Sequence, residues 1–161
     1  IVCFPGIMYR GGAEKKIRKY LIDNNFVEAI IQLPDNLFYG TPIATCILVL
    51  KKSKKDNKIL FIDASKEFVK VTNSNKLTDQ NIENVITHLN DRKDSQYLTK
   101  LVTIDDVAEQ DYNLSVSTYV EQKDTREKID IDQLNKDIEE VVKRENELRK
   151  AIDKIIADLK G

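Results

Sequence analysis

The chain of 161 residues carries 26 basic and 27 acidic side chains, so its net charge is close to zero. Such a balance gives no support for a protein that grips nucleic acid by itself, and any such contact must come from a local patch. With 41% apolar residues, the length fits one domain with a modest core plus an appendage.

Residue types that build metal and disulfide sites are scarce in this sequence. The lone His88 excludes a histidine-based metal cluster, and Cys3 and Cys46 lie in apolar runs that predict reduced, buried thiols. No apolar stretch is long enough to span a bilayer, and the start has no secretion signal. We therefore expect a cytoplasmic protein with no metal site and no membrane contact. Because the chain begins without Met inside an apolar run, we also expect a fragment of a longer polypeptide.

The first half of the chain is patterned as strands separated by one helix. Apolar runs and turn residues predict a strand at 1–4, a helix at 13–24, and strands at 27–33, 44–50 and 59–62. The helix has Ile17, Tyr20 and Leu21 on its apolar face and leaves Arg18 off that face. Strand, helix and strand together favour a parallel, right-handed unit.

The link between the strands at 27–33 and 44–50 is short. Both strands are nearly continuous apolar runs, as expected where both faces of a sheet are covered. The link at residues 34–42 is too short for a crossover helix, so the strand at 44–50 should run antiparallel to the strand before it.

Residues 63–108 have weaker sequence patterns. Residues 63–77 are expected to be irregular, and Thr78 can cap a helix. Apolar residues then predict a short strand at 101–104 and one turn of helix at 105–108.

The strongest periodicity lies at the C-terminus and predicts one helix of about 30 residues, roughly 45 Å long. Its apolar stripe, which only Glu145 interrupts, comprises Ile131, Leu134, Ile138, Val141, Leu148, Ile152, Ile155 and Leu159. Basic and acidic residues nearly balance along this helix, which disfavours DNA as its partner. Three interpretations stay open: packing on its own domain, self-association, or docking onto another subunit.

Three patches of the chain carry a family resemblance. They are Pro5-Gly6 with Arg10-Gly11-Gly12-Ala13-Glu14, then Leu33-Pro34 with Asn36-Leu37-Phe38 and Gly40-Thr41, and finally Tyr112-Asn113-Leu114 with Tyr119-Val120. With these motifs the chain resembles the C-terminal part of a type I restriction-modification methylase subunit, an adenine-specific DNA methyltransferase. The family signature has Arg before the last Tyr, where this chain has Thr118.

The resemblance implies an α/β fold that is the distal half of a Rossmann-like, S-adenosylmethionine-dependent methyltransferase sheet. That sheet is mixed, its last strand pair is antiparallel, and a long C-terminal helix follows. We expect residues 1–72 to complete the catalytic domain, residues 73–128 to form a helical and irregular connection, and residues 129–161 to form an assembly helix.

Two motifs that the reaction needs are absent from the sequence. There is no spaced glycine loop for S-adenosylmethionine, and no Asn or Asp followed by two prolines and an aromatic. We therefore expect no catalytic residue in this fragment, no cofactor binding and no activity by the fragment alone. The intact parent would bind S-adenosylmethionine.

The aromatic pair in the link between the strands is the leading site candidate. By resemblance, Phe38 matches the position whose ring packs against the target base once that base has left the stack. Tyr39 is an undecided neighbour. The alternative is that either ring closes the core at the end of the sheet.

A basic cluster near the N-terminus is a candidate for contacts with DNA phosphates. The cluster comprises Arg10, Lys15, Lys16, Arg18 and Lys19. The commoner alternative for such a run is the solvated face of an amphipathic helix.

The resemblance also implies partners: the specificity subunit, whose helices would bundle with the C-terminal helix, and through the complex the restriction subunit and DNA. Two alternatives from another class remain, a subunit-assembly module without catalysis and a coiled-coil homo-oligomer.

Overall fold

The computed structural model of the protein describes residues 1–122 and 131–160. The chain divides into two compact units, Ile1–Lys123 and Asp124–Gly161. The described part of the first unit is a mixed α/β domain, and that of the second is a single helix.

The first unit is built on one five-stranded sheet with short helices around it. Its strands are β1 (Val2–Cys3), β2 (Val27–Gln32), β3 (Cys46–Leu50), β4 (Lys58–Asp63) and β7 (Thr99–Thr103), and a separate hairpin comprises β5 (Val69–Val71) and β6 (Ser74–Lys76). After the short 3-10 helix Pro5–Met8, the helices are α1 (Ala13–Asp23), α2 (Asp79–Asp91), α3 (Ile104–Glu109) and α4 (Val116–Tyr119).

The sheet is mixed, with the strand order β1-β3-β2-β4-β7. Strand β3 runs antiparallel to β1 and to β2, which confirms the direction predicted from the short link. Strand β4 is parallel to β2, and β7 is antiparallel to β4. Strands β1 and β2 therefore point the same way, but β3 lies between them.

Both faces of the central strands are buried, as the continuous apolar runs predicted. On one face Ile30 of β2 and Phe61 of β4 pack with Ile22 of α1. On the other face Ile31 and Leu60 join a second cluster, against which α2 packs. Successive side chains along each central strand therefore point alternately into the two hydrophobic clusters.

The apolar face predicted for α1 is wrong at Ile17 and Tyr20, whereas Leu21 packs against the core as predicted. Ile17 and Tyr20 are 60% and 61% exposed, whereas Arg18 and Ile22 are buried. The helix is turned so that Ile22 enters the core and Arg18 reaches two backbone carbonyl groups.

The compact unit that contains the sheet extends beyond residue 72. Strand β7 pairs with β4 along five positions, and the compact unit continues to Lys123. Helix α2 is capped by Thr78 as predicted, since its hydroxyl accepts from the Asn81 N–H. The β5–β6 hairpin and α4 were not predicted.

The second unit contains α5 (Ile131–Lys160), which confirms the predicted helix of 30 residues. Its apolar stripe is solvent-exposed, with Leu148 at 58% and Ile152 at 55%. Glu145, which interrupts the stripe, pairs with Arg149 one turn later at 2.9 Å. No helix within the described ranges is long and apolar enough to cross a membrane.

Candidate nucleic-acid interface

The loop that carries Phe38 leaves the sheet at the carboxyl end of β2. Because β1, β2 and β4 share one direction, the segments that follow them emerge at the same edge of the sheet. This edge is where open α/β sheets bind ligands. The aromatic pair thus lies at the end of the sheet, and its role in binding stays a prediction.

The loop folds back on itself in a tight turn. The Thr41 N–H donates to the Phe38 carbonyl at 3.3 Å, and the Asn36 N–H donates to the Pro42 carbonyl at 3.4 Å. Gly40 has a φ of 76° and Asn36 a φ of 50°, both in the left-handed region. Glycine adopts this region without strain and asparagine more readily than most residues, so these types suit the turn.

Neither aromatic ring of the loop closes the core of this chain. The Phe38 side chain is 47% exposed, and Tyr39 is fully exposed. Phe38 lines a surface depression of about 390 Å³ together with its loop neighbours and with Asn73 and Ser74 from the hairpin. A half-exposed ring in a depression is available for stacking on a planar group.

The lysines and arginines of the basic cluster differ in whether they pair with acidic side chains. Lys15 pairs with Asp111, and Lys19 pairs with Asp23 at 2.9 Å while lying over the Tyr112 ring, 4.4 Å from its centroid. Arg10 and Lys16 are exposed.

The Arg18 prediction needs correction, because its side chain is buried with 5% exposure. Its Nε donates to the Tyr112 carbonyl at 2.9 Å, and a terminal guanidinium nitrogen donates to the Ile7 carbonyl at 2.7 Å. Burial lowers the pKa of Arg18 from its ordinary value, and nearby Glu14 and Asp111 oppose that shift. Arg18 thus links three chain segments and is not presented to a phosphate.

The signature at residues 111–120 is a structural clamp. The Leu114 N–H donates to the Met8 carbonyl at 2.8 Å, and the Tyr119 hydroxyl donates to the Asn113 carbonyl at 2.6 Å. The Tyr119 ring packs on Phe61, with ring centroids 4.2 Å apart, and burial raises the pKa of Tyr119 to about 12. The Thr118 hydroxyl accepts from the Asn113 side chain at 3.2 Å.

Replacing Tyr119 with phenylalanine tests this clamp. Tyr119→Phe keeps the ring on Phe61 but leaves the Asn113 carbonyl without its donor, so we expect a loss of about 1 kcal/mol in the free energy of unfolding. Urea unfolding of wild type and variant measures the difference. Equal stability would show that water replaces the hydroxyl at no cost.

The match to a known family decides what this domain is. Residues 1–128 match the family described as N-6 DNA methylase. The chain belongs to that family.

Relatives that this chain matches include type I restriction enzyme methylase subunits. It is 48% identical to the MpnII methylase subunit of Mycoplasma pneumoniae over 99% of the chain, and 40% identical to the MjaVIII methylase subunit of Methanocaldococcus jannaschii over 91%. It covers 30% and 26% of those two proteins, so the chain corresponds to under a third of such a subunit.

A solved methylase structure shares the fold. The methyltransferase subunit of a type I restriction-modification system from Streptococcus thermophilus superimposes with a TM-score of 0.73 at 39% identity. The match covers 75% of this chain and 26% of that one.

The glycines that follow β1 differ in how open their backbones are. A Cβ built on Gly6 would lie 2.9 Å from Arg10 Cζ, at the far end of a flexible side chain, whereas a Cβ built on Gly11 or Gly12 would meet nothing within 4 Å. A glycine that cradles a ligand needs an open backbone, so Gly11 and Gly12 meet that requirement better than Gly6 does. Among the described residues no cluster of His, Cys, Asp or Glu could hold a metal ion.

An ionic cluster that sequence analysis missed lies at the opposite, amino end of β2. Arg92 donates to Glu28 at 2.7 Å and pairs with Asp56 at 3.3 Å, while the buried Lys54 ammonium donates to the Val27 carbonyl at 2.9 Å. Burial lowers the pKa of Lys54, and the nearby Asp56 carboxylate opposes this shift. Sequence spacing carries no signal for these pairs, which join residues up to 64 positions apart.

Proposed function

We propose that the parent of this chain is a type I methylase subunit that transfers a methyl group from S-adenosylmethionine to N6 of adenine in DNA. This chain supplies the distal part of the catalytic sheet, in the Rossmann-like arrangement of such enzymes, and the assembly helix. Family membership and the mixed sheet support this proposal.

The observation that carries the proposal is the position of Phe38. The ring stands half-exposed on a turn at the carboxyl edge of the sheet, beside a depression of about 390 Å³. Extrusion of a base from a duplex loses stacking, which an aromatic wall partly restores. We assign Phe38 as the contact to the extruded adenine, and Tyr39 as an exposed neighbour without an assigned role.

Among the basic residues, Arg10 and Lys16 are the leading candidates for contacts with DNA phosphates, and Lys15 and Lys19 are secondary candidates. Arg10 precedes α1 and Lys16 lies in its first turn, so both follow β1 at the edge that bears Phe38. Exposed cations at that edge can hold the backbone of a duplex while Phe38 engages the base.

Replacing Phe38 by alanine tests the base contact. In the full-length enzyme, Phe38→Ala should weaken base capture by about 1–3 kcal/mol, because stacking on the ring is lost. The measurement is the fluorescence of 2-aminopurine placed at the target adenine, with the turnover of the same enzyme on unmodified DNA.

Affinity for S-adenosylmethionine should stay unchanged in Phe38→Ala. Tyr39→Ala, on the same turn, measures separately what the neighbouring ring contributes. Wild-type fluorescence and turnover in Phe38→Ala would return this ring to a structural role.

Residues outside this chain would bind the cofactor, so the isolated chain should neither bind S-adenosylmethionine nor transfer methyl groups. Calorimetry with the isolated chain and the full-length subunit side by side measures this. Saturable micromolar binding by the isolated chain would contradict the assignment.

The exposed stripe of α5 favours a second function, assembly. We propose that the helix docks onto the specificity subunit, which would bring the restriction subunit and DNA into one cytoplasmic complex. Nearly balanced charge along α5 favours a protein partner over DNA. A homo-oligomer of α5 helices is the competing outcome, and sedimentation of the subunit alone distinguishes it.

A further inference from the structure

The hairpin that the sequence did not predict meets the Phe38 loop. Strands β2 and β4 are parallel neighbours, so the loop after β2 and the hairpin after β4 leave the sheet side by side. The two segments make contact at Asn75 of the hairpin.

Asn75 bonds with two consecutive residues of the loop. Its backbone N–H donates to the Asn36 carbonyl at 2.9 Å. Its side-chain amide donates to the Asp35 carbonyl at 2.9 Å and to the Asp35 carboxylate at 2.8 Å. The bond to the carboxylate is charge-assisted, the stronger class of hydrogen bond.

These bonds hold the backbone at Asp35 and Asn36, just before the tight turn that carries Phe38. Asn36 has a left-handed φ of 50°, and its N–H closes the loop onto Pro42. Two residues later Phe38 begins the tight turn that ends at Thr41. A change of backbone angle at Asn36 would therefore swing the Phe38 ring away from its present position.

The hairpin also shares a surface with the ring. Asn73 and Ser74, next to Asn75, line the same depression as Phe38. The hairpin thus forms part of the wall of that depression, and the bonds of Asn75 join it to the loop.

We propose that Asn75 is a positioning residue for base capture, and that the β5–β6 hairpin holds the Phe38 loop in the conformation that presents the ring. The proposal rests on the proposed base contact of Phe38. Asn75 acts through the loop and does not itself touch the base.

The test uses the full-length methylase subunit with its specificity subunit. The target adenine is first mapped in DNA from cells that express the complex, and is then replaced by 2-aminopurine in a synthetic duplex. Asn75→Ala should reduce the fluorescence of the extruded base and should lower kcat/KM by about 10- to 100-fold, because a misplaced contact group loses orientation. Affinity for S-adenosylmethionine should be unchanged.

Three further variants separate a positioning role from a loss of folding. Asn75→Asp places a second carboxylate opposite that of Asp35, so it should reduce base extrusion more than Asn75→Ala does. The exchange Asp35→Asn with Asn75→Asp restores one amide–carboxylate pair but leaves the backbone carbonyl of residue 35 without its donor. It should therefore recover only part of the extrusion that Asn75→Asp loses. Asn24→Ala is the matched control, since Asn24 makes one surface bond to the Tyr20 carbonyl on α1.

The outcomes distinguish this proposal from the one beneath it. If Phe38→Ala impairs extrusion but Asn75→Ala behaves like Asn24→Ala, the positioning role is overturned and the base contact stands. If Phe38→Ala itself has wild-type extrusion, the base contact fails. Wild-type extrusion in Asn75→Asp would also overturn the positioning role.

Discussion

Leu148→Asp and Ile152→Asp are each expected to abolish co-purification of the full-length methylase subunit with the specificity subunit. Both side chains lie on the exposed apolar stripe of α5, at 58% and 55% exposure. If the stripe is buried against partner helices, an aspartate there places a charge in an apolar seam, which costs several kcal/mol without a partner. Affinity purification of the tagged specificity subunit measures the bound methylase subunit.

Two controls make the assembly result specific. Ala157→Asp introduces the same charge on α5 outside the stripe, and should leave the stoichiometry of the complex unchanged. Binding of S-adenosylmethionine by each variant reports whether the catalytic part still folds. Wild-type stoichiometry of Leu148→Asp and Ile152→Asp would refute docking, and unfolding of the catalytic part would show that the stripe is intramolecular core.

Arg18→Ala is expected to lower the free energy of unfolding of the first unit by about 3 kcal/mol, because two backbone carbonyl groups lose charged donors. Those carbonyls belong to Ile7 and Tyr112, so the loss would loosen the 3-10 helix and the clamp at residues 111–120 together. The signal is the near-ultraviolet circular dichroism of tyrosine during urea unfolding. All six tyrosines of the chain lie in the first unit.

Lys16→Ala is the matched control, since Lys16 is an exposed cation two residues earlier on the same helix. It should change stability by less than about 0.5 kcal/mol. If Arg18→Ala proved as stable as Lys16→Ala, water would be satisfying the carbonyls, and the structural role of Arg18 would fall.

The sheet and the long helix were predictable because each has a local signal. Continuous apolar runs placed the central strands, the short link fixed the direction of β3, and Thr78 marked the start of α2. The 3,4 spacing of apolar residues predicted α5.

Features that depend on contacts between distant segments were not predictable. The β5–β6 hairpin has three-residue strands of mostly exposed residues, so no alternation marks it. The burial of Arg18 depends on Tyr112, which is 94 residues away in the chain. Charge patterning alone grouped Arg18 with its exposed neighbours, because a pattern of charges does not identify which cation finds buried carbonyls.

The candidate site was predictable only in part. Resemblance indicated Phe38, and the order of strand and loop placed it at the carboxyl edge of the sheet. Asn75 carries no such signal, since it lies 40 residues from Asp35 and its role depends on the parallel pairing of β2 with β4.

The most direct test of the central claim is the identity of the methylated nucleoside. The full-length subunit, purified with the specificity subunit, is incubated with S-adenosylmethionine labelled in its methyl group and with DNA, and the DNA is digested to nucleosides. The account predicts label in N6-methyldeoxyadenosine. Label in a methylated cytidine, or none in DNA while the complex is intact and binds the cofactor, would contradict it.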